Sequence, residues 1–248
     1  MRRNSRNPVL SDKAFTGFDL AAGERPMTVS GTIFKSYILL AVLGLAAIAT
    51  WVAMFDVAIA QLFLQYYWVL LLGALGVAIL TVFKRQWAAY TSGLYALLEG
   101  SLLGGISWLF EAQYGGIVFQ AILLTFGVLI VMLTLYTSRI ITVTQKFRSV
   151  VIMGTGAVML LYLGSWILGF FGVNIGFLHD SSIFGIVFNL FVIVLAALNL
   201  LLDFDFIERG AQSGAPKYME WYSAFGLMVT LIWLYLEILR LLSRSRRR

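Results

Sequence analysis

Four carboxylates stand inside apolar runs where acids are rare. Glu99 lies in YALLEGSLLGG, Asp203 and Asp205 in LNLLLDFDFIERG, and Glu237 in LIWLYLEILRLL. A charge at the centre of a bilayer costs at least ~2.5 kcal/mol, so such acids face a cavity, take a partner, or carry a proton. The chemistry open to them is proton binding and transient coordination of a hard cation. Two acids that share one site cannot both ionise cheaply, so the pair titrates as a unit. A shared proton ties their helices together. Its loss brings repulsion and leaves oxygen ligands of the kind calcium prefers.

Each acid also has a local reading. Glu99 has no basic residue in its own run, so it is either protonated or paired with another helix. Glu237 precedes Arg240 by three residues, which puts both on one helix face as a possible pair. Asp205 fits an interfacial position near a helix end. Asp203 follows Asn199 by one turn, and Asn189 adds a third polar group to the same run. That stripe should face the bundle interior, with Asn189, Asn199, Asp205 and Glu99 as cavity or pore-lining candidates. Asp203 and Asp205, two residues apart, point to roughly opposite sides and do not line one path.

The elements that hold these acids are membrane spans. Of 248 residues 60% are hydrophobic, and the mean hydropathy is +0.89. A hydrocarbon core about 30 Å thick needs roughly 20 apolar helical residues. Seven runs meet that length: 34–55, 61–83, 87–110, 115–136, 149–172, 183–204 and 222–243. They are continuous rather than alternating, which excludes barrel strands. The fold class is an all-α integral membrane protein. Residues 1–30 read as a flexible cytoplasmic tail, 31–243 as the membrane domain, and 244–248 as a basic C-terminal tail. The tail lacks the apolar core of a signal peptide.

Loop charge sets the orientation. Arg2, Arg3, Arg6, Lys13, Arg25 and Lys35 precede or open the first span. Lys84 and Arg85 follow in the second loop, Arg139, Lys146 and Arg148 in the fourth, and Arg209 and Lys217 in the sixth. Loops one, three and five carry Asp56, Glu111 and Asp180 and no Lys or Arg. The N-terminus and the even loops therefore belong in the cytoplasm. The terminal RLLSRSRRR conflicts, since seven crossings put it outside; a re-entrant last segment would resolve this, but six loops outweigh one tail. The net charge of +6 sits at the ends and loops, as topology requires, and is no nucleic-acid signal.

Enzyme classes fall away. There is no Cys, and His179 is the only histidine, which excludes thiolate chemistry and clustered-His metal sites and argues against a Ser–His triad. A paired-aspartate protease needs two aspartates on different helices, and the last helix offers only Glu237. No resident cofactor is expected. A proton-coupled transporter would use the same acids, but neither a broken helix nor an inverted repeat is visible.

LLLDFDFIERG and LIWLYLEILRLL, with ALLEGSLLGGIS upstream, resemble the Bax inhibitor-1 family, also called transmembrane Bax inhibitor motif proteins. The resemblance covers the whole membrane region, and NPVLSDKAF resembles a bacterial branch. It implies a seven-helix bundle with the last helix central, wrapped by the other six. It implies a pH-sensitive calcium leak of a bacterial inner membrane, gated by carboxylates on helices six and seven. The family's D-F-x-x-I pattern falls on Asp203 to Ile207, and its L-Y-L-D pattern on Leu234 to Glu237, with Glu in place of Asp. The implied sensors and transient calcium ligands are thus Asp203 and Glu237. A non-conducting regulator, with a membrane protease as candidate partner, is the alternative. Geometry limits the pairing. If the last helix starts at Tyr222, Glu237 lies ~22 Å along it, whereas Asp203 lies within ~10 Å of the same face. Direct contact requires the sixth helix to continue into the cytoplasm, or the 210–221 loop to dip or lie along the surface.

Overall fold

The computed structural model describes residues 25–172, 176 and 182–246. His179, Asp180 and residues 1–24 lie outside the described residues. Seven long helices follow one another: α1 (Val29–Ala53), α2 (Val57–Phe83), α3 (Ala88–Gln113), α4 (Ile117–Thr137), α5 (Gln145–Phe170), α6 (Ile183–Gln212) and α7 (Met219–Arg246). Each is long and apolar enough to cross a bilayer. The chain is a multi-pass membrane bundle, as the run lengths require.

Helix starts are set by capping groups rather than by where hydropathy rises. The Thr28 hydroxyl accepts from Gly31 N at 3.0 Å, and Asp56 accepts from Ala58 N at 2.8 Å. Thr144 and Ser182 cap α5 and α6 in the same way. Such side chains satisfy amide donors that the first helical turn leaves unpaired. At α4 the Glu111 carboxylate reaches forward to Gly116 N and Val118 N, past a Gly116 whose φ of 80° suits glycine.

The last helix is central. Its backbone packs against α1, α3, α4 and α6, while α2 lies behind α3 and α5 behind α6. Two apolar clusters cover opposite sides of α7. Leu231, Leu234 and Ile238 meet Ala196, Leu200 and Leu201 of α6 and Ala121 of α4. Ala224, Phe225, Met228 and Ile232 meet Leu39 of α1 and Tyr95, Ala96 and Leu103 of α3. The GxxxG of α3 makes its closest approach to α1: a Cβ at Gly100 would overlap the Leu43 carbonyl oxygen, and one at Gly104 that of Ala47. Small residues let two backbones touch in lipid, where packing rather than water drives association. Gly154 packs on Leu195, whereas a Cβ at Gly156 would meet open space, so that glycine is not a packing requirement.

Two boundaries of the expected domains shift. Residues 25–30 are held rather than flexible: Pro26 pairs with Pro216, Met27 N donates to Ala215 O at 2.7 Å, and Val29 already begins α1. At the other end the basic residues continue the helix. Arg244 is buried and donates to Gly185 O at 2.7 Å, and Arg246 donates to Gly115 O at 2.6 Å. Those acceptors follow loops three and five, at the end of the bundle opposite Thr28. The last segment is therefore a full crossing and not re-entrant, because carbonyls at the far rim hold its arginines.

Candidate functional site: the seam between helices six and seven

Asp203 lies on the α6 face that meets α7. Its Oδ1 is 3.9 Å from where a Gly226 side chain would begin, and it lies beside Thr230, whose hydroxyl donates to Gly226 O at 3.2 Å. Its Oδ2 is shut from solvent and has no protein partner among the described residues. Ser223 precedes Gly226 by three residues and Thr230 by seven, so all three share one stripe of α7. The buried Ser223 Oγ also lacks a partner among the described residues.

Glu237 lies elsewhere. It is 1% exposed and fully engaged: Asn189 Nδ2 donates to Oε2 at 2.7 Å, while Tyr162 Oη and Arg240 donate to Oε1 at 3.1 and 2.8 Å. Arg240 also donates to Tyr162 Oη at 3.0 Å and stacks over that ring, so three helices close on one carboxylate. Asn189 and Asp203, fourteen residues apart on α6, are separated by ~21 Å along its axis. Glu237 is seven residues beyond Thr230 on α7, a further ~10 Å. The expected contact between Asp203 and Glu237 does not form. Helix α6 does continue, to Gln212, yet the register of α7 brings Thr230 rather than Glu237 opposite Asp203.

The remaining candidates disperse. Asn199 turns to α5, donating to Thr155 Oγ1 at 2.8 Å, so it lines no path with Asp203. The stripe expected on α6 thus serves two neighbours. Asp205 is an ion-cluster member rather than a cavity residue: its Oδ2 meets Arg148 at 2.5 Å and Arg209 at 2.6 Å. Glu99 is half-buried on α3 and makes no hydrogen bond or ion pair among the described residues. The Tyr95–Phe225 ring contact and the Ser107–Tyr235 hydrogen bond fix the α3–α7 register. Interpolating between them puts Glu99 near the level of Met228. Glu99 and Asp203 therefore sit at similar depth on two sides of α7.

The sequence reading passed over one acid entirely. Glu220, in the first turn of α7, is buried and bonded to Lys35, to Lys217 at 2.7 Å, and to Thr28 N at 2.8 Å. A Cβ at Gly31 would overlap its carboxylate, so glycine there admits the anion to the start of α1. This cluster, with Arg139–Glu208 at 2.7 Å and the Tyr136–Glu208 hydrogen bond, ties the basic-loop end together. The close pairing of Lys217 and Glu220 was a visible signal; the reach of Lys35 and Thr28 was not.

Among the described residues no three His, Cys, Asp or Glu side chains gather to hold a metal ion. A calcium ion takes six to eight oxygens. Asp203, with Thr230 and Ser223 nearby, offers too few to hold one. Glu237 has both oxygens occupied by protein donors and does not serve as a calcium ligand in this conformation.

Comparison with characterised proteins returns no match, and neither does comparison with solved structures. The family model described as "Bax inhibitor 1 like" matches residues 7–247. That span takes in all seven helices and both acids of the D-F-x-x-I and L-Y-L-D patterns. The chain belongs to the Bax inhibitor 1 like family.

Proposed function

We propose that the protein is a pH-sensitive cation leak of a bacterial inner membrane, with calcium as permeant or regulatory ion and the N-terminus in the cytoplasm. In this reading Asp203 acts as a single proton-responsive group, and Glu237 is a lock at the far end of the same helix pair. The observation that carries it is two of the three buried oxygens that lack a protein partner among the described residues: Asp203 Oδ2 and Ser223 Oγ lie together on one seam, and the third, Asn189 Oδ1, lies beside Glu237 at the far end. Buried polar atoms are nearly always satisfied, so those that are not ask for water or an ion. When protonated, Asp203 is neutral and its carboxyl O–H can donate to the Thr230 hydroxyl beside it, which holds α6 against α7. When ionised, it is a charge in an apolar seam, and hydration or a cation offsets that cost.

Toward Asn189 the seam is filled by Ile193, Ala196, Ala197 and Leu200 against Leu231, Leu234 and Ile238. That packing corresponds to a closed state. Calcium release from vesicles holding the purified full chain should therefore rise from about pH 5 to about pH 8, as the proposed gate gives up the proton that an intramembrane acid carries. A flat profile would overturn the pH gate. The apolar seal also favours a second reading, a non-conducting regulator that holds a membrane protease. No release above protein-free vesicles at any pH, with such a protease co-purifying, would support it.

A further inference from the structure

Helices α1 and α4 both pack on α7 but leave a cleft of about 610 Å³ between them. Its walls are Leu40, Gly44, Ile48 and Trp51 on one side and Ile122 and Phe126 on the other. Its floor is Leu231, Ile232 and Tyr235 of the central helix, with the Tyr235 hydroxyl 2.6 Å from Ser107 Oγ. From Leu40 to Trp51 it runs ~16 Å, close to half of a ~30 Å hydrocarbon core. It therefore occupies one leaflet, the one at the acidic-loop end. Lining residues Ile48, Phe119, Ile122 and Phe126 are exposed, so the cleft is continuous with the lipid-facing surface of the bundle.

Glu111 lines the cleft, and Arg246 stands just beyond it against the same loop, where it also donates to Tyr114 O and Gln120 Oε1. Glu111 accepts from Gly116 N, and Arg246 donates to Gly115 O, so a carboxylate and a guanidinium grip neighbouring residues of one loop. Arg246 is exposed, and no carboxylate lies within ion-pair distance of it among the described residues. Trp51 stands at the same rim, where tryptophan commonly meets lipid headgroups. A zwitterionic headgroup matches that arrangement, its phosphate toward Arg246 and its ammonium toward Glu111. An anionic headgroup would satisfy Arg246 but meet Glu111 with like charge.

We infer that the α1–α4 cleft binds one zwitterionic phospholipid, its acyl chain lying against Leu231, Ile232 and Tyr235 of α7. The site touches the central helix on the side away from Asp203, so it does not depend on the gate proposed above. Gly44 supplies a probe, because a Cβ there meets nothing within 4 Å and a larger side chain grows into the cleft. Gly76 on α2 is equally open and lies outside the cleft, which makes it the control.

The test is native mass spectrometry of the detergent-extracted full chain with added palmitoyl-oleoyl phosphatidylethanolamine. Wild type and Gly76→Phe should retain one lipid per chain. Gly44→Phe, and Ile122→Trp from the opposite wall, should weaken retention roughly tenfold or more, as loss of about two buried methylenes would. Arg246→Ala with Glu111→Gln should weaken it severalfold. No retained lipid in wild type, equal retention in both cleft-filling variants, or equal loss in Gly76→Phe would overturn the site. An unchanged affinity in the double variant would overturn the headgroup assignment.

Discussion

Asp203→Asn should hold calcium release at a low, pH-independent level. Asparagine keeps the size and can donate toward the Thr230 hydroxyl as a protonated carboxyl would, but it never ionises, so the seam stays in its proton-bound arrangement at every pH. At about pH 8 release should fall roughly tenfold against wild type, the effect of about 1.4 kcal/mol on a two-state opening equilibrium. At about pH 5 the two proteins should match, because a gate that still carries its proton is as neutral as the amide. A variant that keeps the wild-type rise would remove Asp203 from the gate.

The second large effect is structural. Gly104→Val should cost about 3 kcal/mol or more, because its Cβ would overlap the Ala47 carbonyl oxygen and neither backbone can give way cheaply. The readout is the yield of monodisperse protein and its melting temperature in detergent. Gly156→Val is the comparison, since a Cβ there meets open space; it should lose well under half as much. Equal melting of Gly104→Val and wild type would show that α1 and α3 do not depend on this contact.

Both predictions turn on the register of neighbouring helices, and this is where reading a sequence and reading a structure part company. The seven spans are written in run length, and α2 illustrates why: 61–83 against an observed start at Val57, since Asp56 caps where the apolar run has barely begun. Hydropathy marks what lies in hydrocarbon, whereas capping and backbone hydrogen bonds mark where a helix ends. The difference is largest at α6, where Asp205 to Gln212 extend the helix about two turns beyond its apolar run. Those turns carry the Asp205 and Glu208 ion pairs, which need a polar surround.

The site was readable one helix at a time. Asp203 on an inward face follows from helical period, and Glu237–Arg240 follows from a spacing of three, as the structure bears out. Which residue stands opposite Asp203 depends on how far α7 slides along α6. The 210–221 segment hides that offset, because Met219 to Trp221 join α7 and Gly210 to Gln212 join α6, leaving a turn from Ser213 to Tyr218. A patterned acid on each of two helices therefore suggested a pair that the register does not assemble. Asn189–Glu237 and Lys35–Glu220 needed the same register and carried no local mark.

The most direct measurement is the pH profile of calcium release by Glu237→Gln protein in vesicles, at matched incorporation, beside wild type. Glutamine has one acceptor oxygen in place of two, so it can accept at the Tyr162 position or at the Asn189 position but not at both, and the far lock is weakened without filling or emptying the site. The predicted result is a wild-type midpoint with release raised at every pH, since Asp203 alone responds to protons while the weakened lock opens more readily. A profile as flat as that of Asp203→Asn would contradict it, and would mean that the two acids gate as one.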